Sequence, residues 1–347
     1  MAVFINGIGS ISGQLFDTRH SLQEFESHDT NRITCKEPDY KDLVPPMQLR
    51  RMSRVVRMGV ASAKAALKDA GIEKPTIITM GTSYGCLADT EVFLSKLLTQ
   101  DETMLTPTSF IQSTHNTVSG QIALMIGCHG HNFTYVHRGH SFETSLQESI
   151  MWLNEQEDIN VLIGGVDEMT MHSFEIMSRF GTFKKEHDAF DIPSEGTIAG
   201  EGANMFVVSN QQNDHTYAEV LDVCMCMTED VSTQLDHILS KNNLNASDIN
   251  VCFVGVNGDN RYDEEIFNNV SSLSNATFAG FKKWCGEYPT SGAFALTLAS
   301  TMLYTKHLPE QFILSNSKQP TDFNYVLIYN HYKNQYHSFT LLKKLSN

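Results

Sequence analysis

The chain is short of positive charge. Its 347 residues include 25 lysines and arginines against 40 aspartates and glutamates, which gives a formal net charge of −15. Nucleic-acid binding depends on clustered basic side chains that neutralise phosphates. We therefore expect an acidic protein with no nucleic acid among its partners.

Long apolar runs are also missing. No stretch reaches the roughly 18 apolar residues that a membrane-spanning helix needs. The segment Met1–Ser10 lacks the basic and apolar regions of a signal peptide. We expect neither a membrane span nor secretion, and hence a cytoplasmic location.

No cysteine spacing typical of a metal site or a disulfide framework occurs. The seven cysteines are an odd number, which fits reduced and mostly buried thiols. Histidines cluster at His129, His131, His137 and His140. A strand between His131 and His137 would hold them roughly 20 Å apart, at about 3.3 Å per residue, so they cannot share one metal. We expect no metal.

The glycines near the start, Gly7, Gly9 and Gly13, resemble a dinucleotide-binding fingerprint. That site needs its third glycine where a helix begins, but Ser10–Asp17 shows no helical apolar face. We interpret the glycines as a tight turn after an edge strand and expect no cofactor.

The chain has enough apolar residues, 41%, to bury a large core. Short β-branched runs alternate with amphipathic helices, and the alternation restarts after Asn210. This pattern predicts an α/β layered fold with two similar halves, residues 1–210 and 211–347. Predicted strands are Val3–Ile8, Thr76–Gly81, Asn132–His137, Val161–Val166, Ala218–Met227, Asn250–Val256, Thr277–Gly280, Tyr325–Tyr329 and Ser338–Lys343. Predicted helices are Met47–Ala70, Cys86–Gln100, Val118–Ile126, Ser141–Asn154, Val231–Lys241, Glu264–Ser272 and Thr290–Tyr304.

Three segments together resemble one enzyme family. They are Leu49–Arg54, which continues to Ala65–Gly71; Leu162–Glu168, which reads Leu-Ile-Gly-Gly-Val-Asp-Glu; and Phe190–Ala203, which contains Phe-Asp and Ala-Gly-Glu-Gly-Ala. In order and spacing they resemble the β-ketoacyl-acyl-carrier-protein synthases. With Ile5–Gly9 the resemblance spans nearly the whole chain. It implies a thiolase-like fold, with two βαβαβαββ halves in a five-layered αβαβα arrangement.

The residue that carries the family's chemistry is missing. These synthases use a cysteine at a helix N-terminus, where the helix dipole favours the thiolate. Counting back about 25 residues from Gly164, the family's spacing, places that nucleophile at Gly139. Glycine has no side chain to acylate, so the resemblance implies that no acyl-enzyme forms there.

The family's two histidines are replaced as well. By resemblance, Asn257 takes the place of the first and Glu287 that of the second, while a family lysine is retained as Lys282 or Lys283. Glu287 precedes Pro289, so we expect its carboxylate to lie at a helix start. The family's glycine-rich gate corresponds to Tyr329–Asn334, which has no glycine.

Degenerate members of this family are chain length factors, which pair with an active ketosynthase and line the tunnel for the growing chain. The sequence resembles this class, and the segments Thr106–Thr117 and Cys285–Tyr288 resemble versions linked to aryl polyene and flexirubin pigments. The resemblance implies a non-catalytic subunit of a heterodimer in polyketide, polyene or fatty acid synthesis. Its partners would be an active ketosynthase, an acyl chain and, through the complex, an acyl carrier protein.

The resemblance also implies where the tunnel and the subunit interface lie. The strand Asn132–His137, which includes Tyr135 and His137, would pair across a twofold axis. The segment Phe110–Asn116 would approach the neighbour's acyl pocket, so that Phe110, Thr114 and His115 limit chain length. Ordinary core packing is the alternative for Phe110.

Three other readings stay open. An independent acyltransferase or hydrolase would use Ser141 or His140 as its nucleophile, although Ser141 with Glu143 also fits a helix N-cap with acidic first-turn support. An inactive homodimer could bind acyl groups. The run Arg50, Arg51, Arg54 and Arg57 could dock an acidic carrier protein, or it could form a solvated helix face or internal ion pairs.

Overall fold

The computed structural model describes residues 1–20, 22, 25–103, 105, 107–185, 190–227, 230–315 and 317–345. In this part of the chain, ten strands form one sheet. Their bounds are β1 (Val3–Ile11), β2 (Ile77–Gly81), β3 (Asn132–Tyr135), β4 (Asn160–Asp167), β5 (Gly202–Ser209), β6 (Ala218–Cys226), β7 (Val251–Val254), β8 (Thr277–Gly280), β9 (Tyr325–Tyr332) and β10 (Tyr336–Lys343).

Helices connect most of the strands. Their bounds are α1 (Pro46–Leu49), α2 (Arg54–Asp69), α3 (Leu87–Thr99), α4 (Pro107–Gln112), α5 (Thr117–Ile126), α6 (Ser141–Glu155), α7 (Met171–Arg179), α8 (Val231–Lys241), α9 (Asp263–Asn268), α10 (Lys282–Cys285) and α11 (Ser291–Thr305). Among the described residues, none of these helices is long and apolar enough to cross a bilayer. The alternation of strands and helices confirms the predicted α/β class.

The sheet consists of two groups of five strands with the same arrangement. Its order is β3-β2-β4-β5-β1-β6-β10-β9-β7-β8. In the first group β3, β2 and β4 are parallel, and β5 and β1 follow antiparallel. In the second group β8, β7 and β9 are parallel, and β10 and β6 follow antiparallel. A short antiparallel pairing of β1 with β6 joins them. The boundary at residue 210 stays a prediction.

The two groups of strands enclose a central layer of helices. Residues 291–303 of α11 are all buried, and α11 contacts α6. Val161 and Ile163 of β4 belong to the core around these central helices, whereas Leu162 belongs to the core beneath α2 and α5. The corresponding outer core of the second group lies beneath α8 and α9. Successive residues of a strand therefore pack into two different cores, one on each face of the sheet. The result is a fold of five layers.

Several sequence predictions need correction. The glycines of β1 form no turn after an edge strand, because β1 runs to Ile11 between β5 and β6. A Cβ at Gly9 would lie 1.9 Å from the carbonyl oxygen of Ser62, so α2 packs directly on the bare strand. The predicted helix Met47–Ala70 is interrupted, because Ser53 is extended with ψ at 170°.

Other differences concern elements that the patterns did not reveal. Strand β5 and helix α7 were not predicted. The strand predicted to end at His137 ends at Tyr135, because the chain turns there and His137 precedes a 3₁₀ turn at Arg138–His140. Arg138 takes a left-handed conformation, with φ at 50°.

Candidate functional site

The turn between β3 and α6 places Gly139 against the hairpin of β9 and β10. A Cβ built on Gly139 would lie 2.5 Å from the Cβ of Tyr332 and 2.7 Å from the Cβ of Tyr336. Those atoms are fixed to the hairpin backbone, so they cannot move aside as the end of a flexible side chain can. The position predicted for the family's nucleophile therefore has neither a reactive side chain nor room for one.

Tyr332 closes the space in front of this turn. It is buried, and its hydroxyl lies 2.7 Å from that of Tyr84, which follows β2. Burial raises the pKa of both tyrosines, so both hydroxyls stay protonated at neutral pH. The segment Tyr329–Asn334, which was predicted to replace the family's glycine-rich gate, lies in the β9–β10 hairpin. The hairpin turns at Lys333 and Asn334, which have positive φ angles.

Asn257 and Glu287, which are predicted to take the places of the family's two histidines, lie next to each other. Asn257 donates from Nδ2 to Glu287 Oε2 at 2.8 Å, and both side chains are buried. Lys282 donates from Nζ to both carboxylate oxygens of Glu287, at 3.1 and 2.9 Å. Lys282 also donates to the backbone carbonyl of His331. The three residues that the sequence assigned to family positions therefore contact one another.

The role predicted for Glu287 is wrong. Helix α11 begins at Ser291, and Glu287 does not cap it. The carboxylate turns instead to Lys282, the buried cation beside it, because a buried ion pair costs less free energy than two separate buried charges. This pairing leaves no lone acid or base among Lys282, Glu287 and Asn257. We call Gly139, Tyr332, Lys282, Glu287 and Asn257 the closed cleft.

A small pocket opens beside the closed cleft. Its volume is about 150 Å³, and the buried side chains of Asn257 and Glu287 contribute to its lining. Phe180, which is largely exposed, Arg261 and Lys333 also line it. Arg261 is paired with Asp259, at 2.6 Å. Two of the buried side chains that line it, Asn257 and Glu287, are hydrogen-bonded to each other.

The two alternative nucleophiles are engaged in hydrogen bonds. Ser141 Oγ donates to the carbonyl of Arg138 at 2.7 Å and accepts from the amide of His137 at 2.8 Å. His140 Nε2 lies 3.0 Å from the carbonyl oxygen of His337, and burial lowers the pKa of His140 to about 4. Ser141 is the first helical residue and not the predicted N-cap, because its hydroxyl closes the preceding turn.

The predicted tunnel and interface residues lie on the other side of the turn. Phe110 on α4 is 58% exposed, with its ring 5.6 Å from that of Phe93, so the core-packing alternative is wrong. His115 packs against Gly85, and Thr114 Oγ1 bonds the carbonyl of Ile111 at 3.1 Å. Tyr135 ends β3, and His137 is exposed. Thr106, the start of the segment predicted to mark pigment synthesis, lies outside the described residues.

An exposed apolar surface surrounds these residues. Among the described strands, β3 pairs with β2 alone and so forms one of the two edges of the sheet, opposite β8. Helices α3 and α4 contact each other, and α5 contacts β3. We call the exposed apolar side chains of these four elements the apolar surface: Val92, Leu94, Leu98, Phe110, Ile111, Leu124 and Phe133. Exposed apolar groups and an unpaired strand edge are typical of an interface with another chain.

The clustered histidines do not converge. His131 stacks on Trp152 with ring centres 4.6 Å apart, whereas His137 and His140 lie at the turn before α6 with ring centres 5.5 Å apart. Within the described ranges, no group of three or more histidine, cysteine or acidic side chains could hold a metal ion.

The arginine run forms internal contacts in part. Arg54 donates two hydrogen bonds to the buried Glu201, at 2.7 and 2.5 Å, and a third to Glu37. Arg57 donates to the carbonyl of Met52 at 3.0 Å. Arg50 and Arg51 are exposed. The internal ion-pair alternative thus holds for Arg54.

Sequence reasoning missed the closure by Tyr84 and Tyr332. The only available signal was the tyrosine at position 332 within a segment that the family fills with glycine. The sequence could not show that Tyr332 would pack on Gly139, because the two residues are far apart along the chain.

Comparisons with known proteins agree with this fold. A profile described as the N-terminal domain of β-ketoacyl synthases matches residues 6–214. The structure titled "The ishigamide ketosynthase/chain length factor" is similar, with a TM-score of 0.81 and 18% identity over 99% of each chain. A β-ketoacyl synthase from Burkholderia phymatum gives 0.81 and 16% over 99% of this chain and 100% of that one. A search of curated protein sequences finds no match.

A third similar structure is an assembly. It is the AntDE:AntF complex, a type II polyketide synthase carrier protein with its ketosynthase, with a TM-score of 0.75 and 15% identity over 99% of each chain. At these identities the likeness establishes the fold. The predicted thiolase-like fold is confirmed.

Proposed function

This chain belongs to the β-ketoacyl synthase family, and we propose that it is a non-catalytic chain length factor that pairs with an active β-ketoacyl-acyl-carrier-protein synthase. In this role it forms one wall of the tunnel for the growing acyl chain. The partner carries out the condensation, and the carrier protein delivers its substrate to the complex.

The closed cleft is the observation that carries this proposal. Condensation needs a nucleophile that can reach a thioester and donors that stabilise the oxyanion. Here the position that we assign to the nucleophile is a glycine that contacts Tyr332, and the buried cation of the closed cleft, Lys282, is bound by Glu287. Acylation would require the β9–β10 hairpin to move and a new nucleophile to appear.

The apolar surface supports the proposed pairing. It combines the free edge of β3 with exposed side chains such as Leu98 and Phe133, and an interface of this kind buries them against a partner. A related ketosynthase fold is the partner that we propose, because the ishigamide protein with a similar fold is described as a ketosynthase/chain length factor. A heterodimer is the expected state.

Phe110 is the residue that we propose limits chain length, together with Thr114 and His115. Its exposed ring on α4 lies within the apolar surface, where the partner's tunnel would end. Replacing Phe110 with alanine should lengthen the product of the complex. We further propose that the product belongs to the aryl polyene or flexirubin type, a refinement that rests on the sequence resemblance alone.

Intact-protein mass spectrometry tests the proposal. The chain is incubated with malonyl- and acyl-carrier-protein thioesters, alone and after co-purification with the ketosynthase encoded beside it. We expect acyl mass on the partner only. Acylation of this chain would overturn the proposal, and peptide mapping would then show whether Ser141 or His140 carries the group.

A matched control shows whether the acyl mass depends on the partner's cysteine. The same incubation uses the partner with its own nucleophilic cysteine replaced by alanine. We expect that neither chain then gains acyl mass, although the two chains still co-purify. A stable homodimer that never binds the partner would contradict the proposed pairing.

A further inference from the structure

Glu143 is a fully buried acid in the first turn of α6. Its Oε1 accepts a hydrogen bond from Ser338 Oγ of β10 at 3.1 Å. Its Oε2 is buried and has no hydrogen-bond partner among the described residues. An ionised carboxylate in such a place would hold its charge away from water with few hydrogen-bond donors, which is costly.

Asn330 of β9 is the unpartnered side chain next to Glu143. Both polar atoms of its amide are buried without a partner in the described part of the chain. A Cβ built on Gly292 of α11 would lie 2.3 Å from Glu143 Oε1 and 3.2 Å from Asn330 Nδ2. The two side chains therefore flank the same glycine, and the missing Cβ leaves them the space to approach each other.

Glu143 and Asn330 differ in the hydrogen bonds that they can donate and accept. A carboxylate only accepts hydrogen bonds, whereas a carboxylic acid also donates one. The oxygen and nitrogen of an amide exchange places by a simple flip, and the surrounding network decides their orientation. A protonated Oε2 would give Asn330 Oδ1 the donor that it lacks, while Oε1 keeps its bond from Ser338.

Among the described residues, Lys282 is the cation that acts on Glu143, but its ammonium group is already bound by Glu287 and by the carbonyl of His331. The packed elements also carry His140, His331 and His337, and burial lowers the pKa of each, so these rings are neutral at pH 7. Helix α11 has no charged side chain. Burial raises the pKa of Glu143 to about 7.

We propose that Glu143 is a buried proton-binding site, held as the neutral acid with its Oε2 hydrogen donated to the amide oxygen of Asn330. In this form it joins α6 of the first half to β9 and β10 of the second half. Loss of the proton leaves a charge in the central layer without a cation to pair with it. This inference does not depend on the proposed function.

Protonation of Glu143 stabilises the folded chain. Because the pKa of Glu143 in the folded state lies above that in the unfolded chain, its stabilising effect is complete below about pH 4.5 and is lost as the pH rises through about 7. Asp167 and Glu168 also have raised pKa values, so only a comparison with a Glu143 variant isolates this group.

Infrared difference spectroscopy is the direct test. Full-length wild-type protein is compared with Glu143→Gln at pH 6 and at pH 9. We expect the carbonyl stretch of a protonated carboxylic acid in the wild type at pH 6, its absence in the variant, and its loss from the wild type at pH 9. An ionised carboxylate at pH 6 in the same difference would overturn the proposal.

Thermal unfolding provides the second measurement. The Tm of the wild type should fall relative to that of Glu143→Gln between pH 6 and pH 9, because glutamine keeps both hydrogen bonds and never ionises. Glu155→Gln, an exposed position at the end of the same helix, is the control and should follow the wild type. Parallel curves for Glu143→Gln and wild type, or a Glu143→Gln chain that does not fold, would each overturn the proposal.

Discussion

The closed cleft and the apolar surface lie on two sides of the same turn, and they differ in what their side chains contact. In the cleft, Lys282 and Glu287 are buried and bonded to each other. On the apolar surface, Leu98 and Phe133 are exposed to solvent. A catalytic site keeps groups accessible and poised, whereas this cleft pairs all of them internally.

Under the proposed function, the difference separates a region that stabilises the fold from a region that binds a partner. Polar groups that contact only one another stabilise the fold and have little left to offer a substrate. Apolar groups that stay exposed on a stable fold need another molecule to cover them. We therefore expect changes in the cleft to alter stability, and changes in the apolar surface to alter partner binding.

The largest effect on stability should come from breaking the buried ion pair. Glu287→Ala leaves the ammonium group of Lys282 buried without its counter-ion, which should cost about 3–5 kcal/mol in the free energy of unfolding. Urea denaturation measures the loss. Glu195→Ala, an exposed acid, should change stability by no more than about 0.5 kcal/mol. A loss below about 1 kcal/mol for Glu287→Ala would contradict the account of the cleft.

Partner binding should respond to the apolar surface alone. Phe133→Asp places a charge on the edge strand β3, so we expect the affinity for the ketosynthase to fall about thirtyfold, or ~2 kcal/mol. Calorimetry or co-purification measures it. Met227→Asp introduces the same charge at an exposed apolar position directly after β6, outside the apolar surface, and should leave binding unchanged. Equal losses for both variants would remove the distinction between the two surfaces.

Filling the glycine at the turn tests the closure of the cleft. Gly139→Ala forces a methyl group against Tyr332 and Tyr336, which should destabilise the protein by about 1–3 kcal/mol. Gly120→Ala is the matched control, because it lies inside α5 with open space around it and should stabilise by about 0.5–1 kcal/mol. If both substitutions stabilised the protein, the hairpin would not be packed on Gly139.

The smallest effect concerns the hydrogen bond between the two tyrosines. Tyr84→Phe removes one hydroxyl and should reduce the free energy of unfolding by about 1 kcal/mol. Tyr262→Phe, whose hydroxyl has no hydrogen bond among the described residues, should change it by less than about 0.5 kcal/mol. Thermal unfolding of both variants in one buffer compares them. A loss for Tyr84→Phe no larger than that for Tyr262→Phe would show that Tyr332 closes the cleft without the help of Tyr84.

The sequence predicted much of the fold because its strands and helices have clear periodicity. Helix α8 begins and ends where expected, at Val231 and Lys241. Strand β5 was missed because it is buried on both faces and follows a glycine-rich segment, so no alternation marks it. The break before Arg54 was missed because the residues on both sides of the extended Ser53 continue the same helical pattern.

The site was predictable as a set of positions but not as a contact network. Asn257, Glu287 and Lys282 were placed together by resemblance to a family motif. Their mutual bonds depend on side-chain directions that spacing does not specify. The packing of Tyr332 on Gly139 joins residues that are far apart in sequence, so local patterns carry no sign of it.

One reconstitution tests the central claim most directly. The complex with the ketosynthase and carrier protein is supplied with malonyl units, using this chain as wild type, Tyr84→Phe or Phe133→Asp, and the products are measured by mass spectrometry. The account predicts that Tyr84→Phe gives the wild-type amount and chain length, and that Phe133→Asp gives little product. Loss of product with Tyr84→Phe in an intact complex, together with normal synthesis by Phe133→Asp, would contradict it.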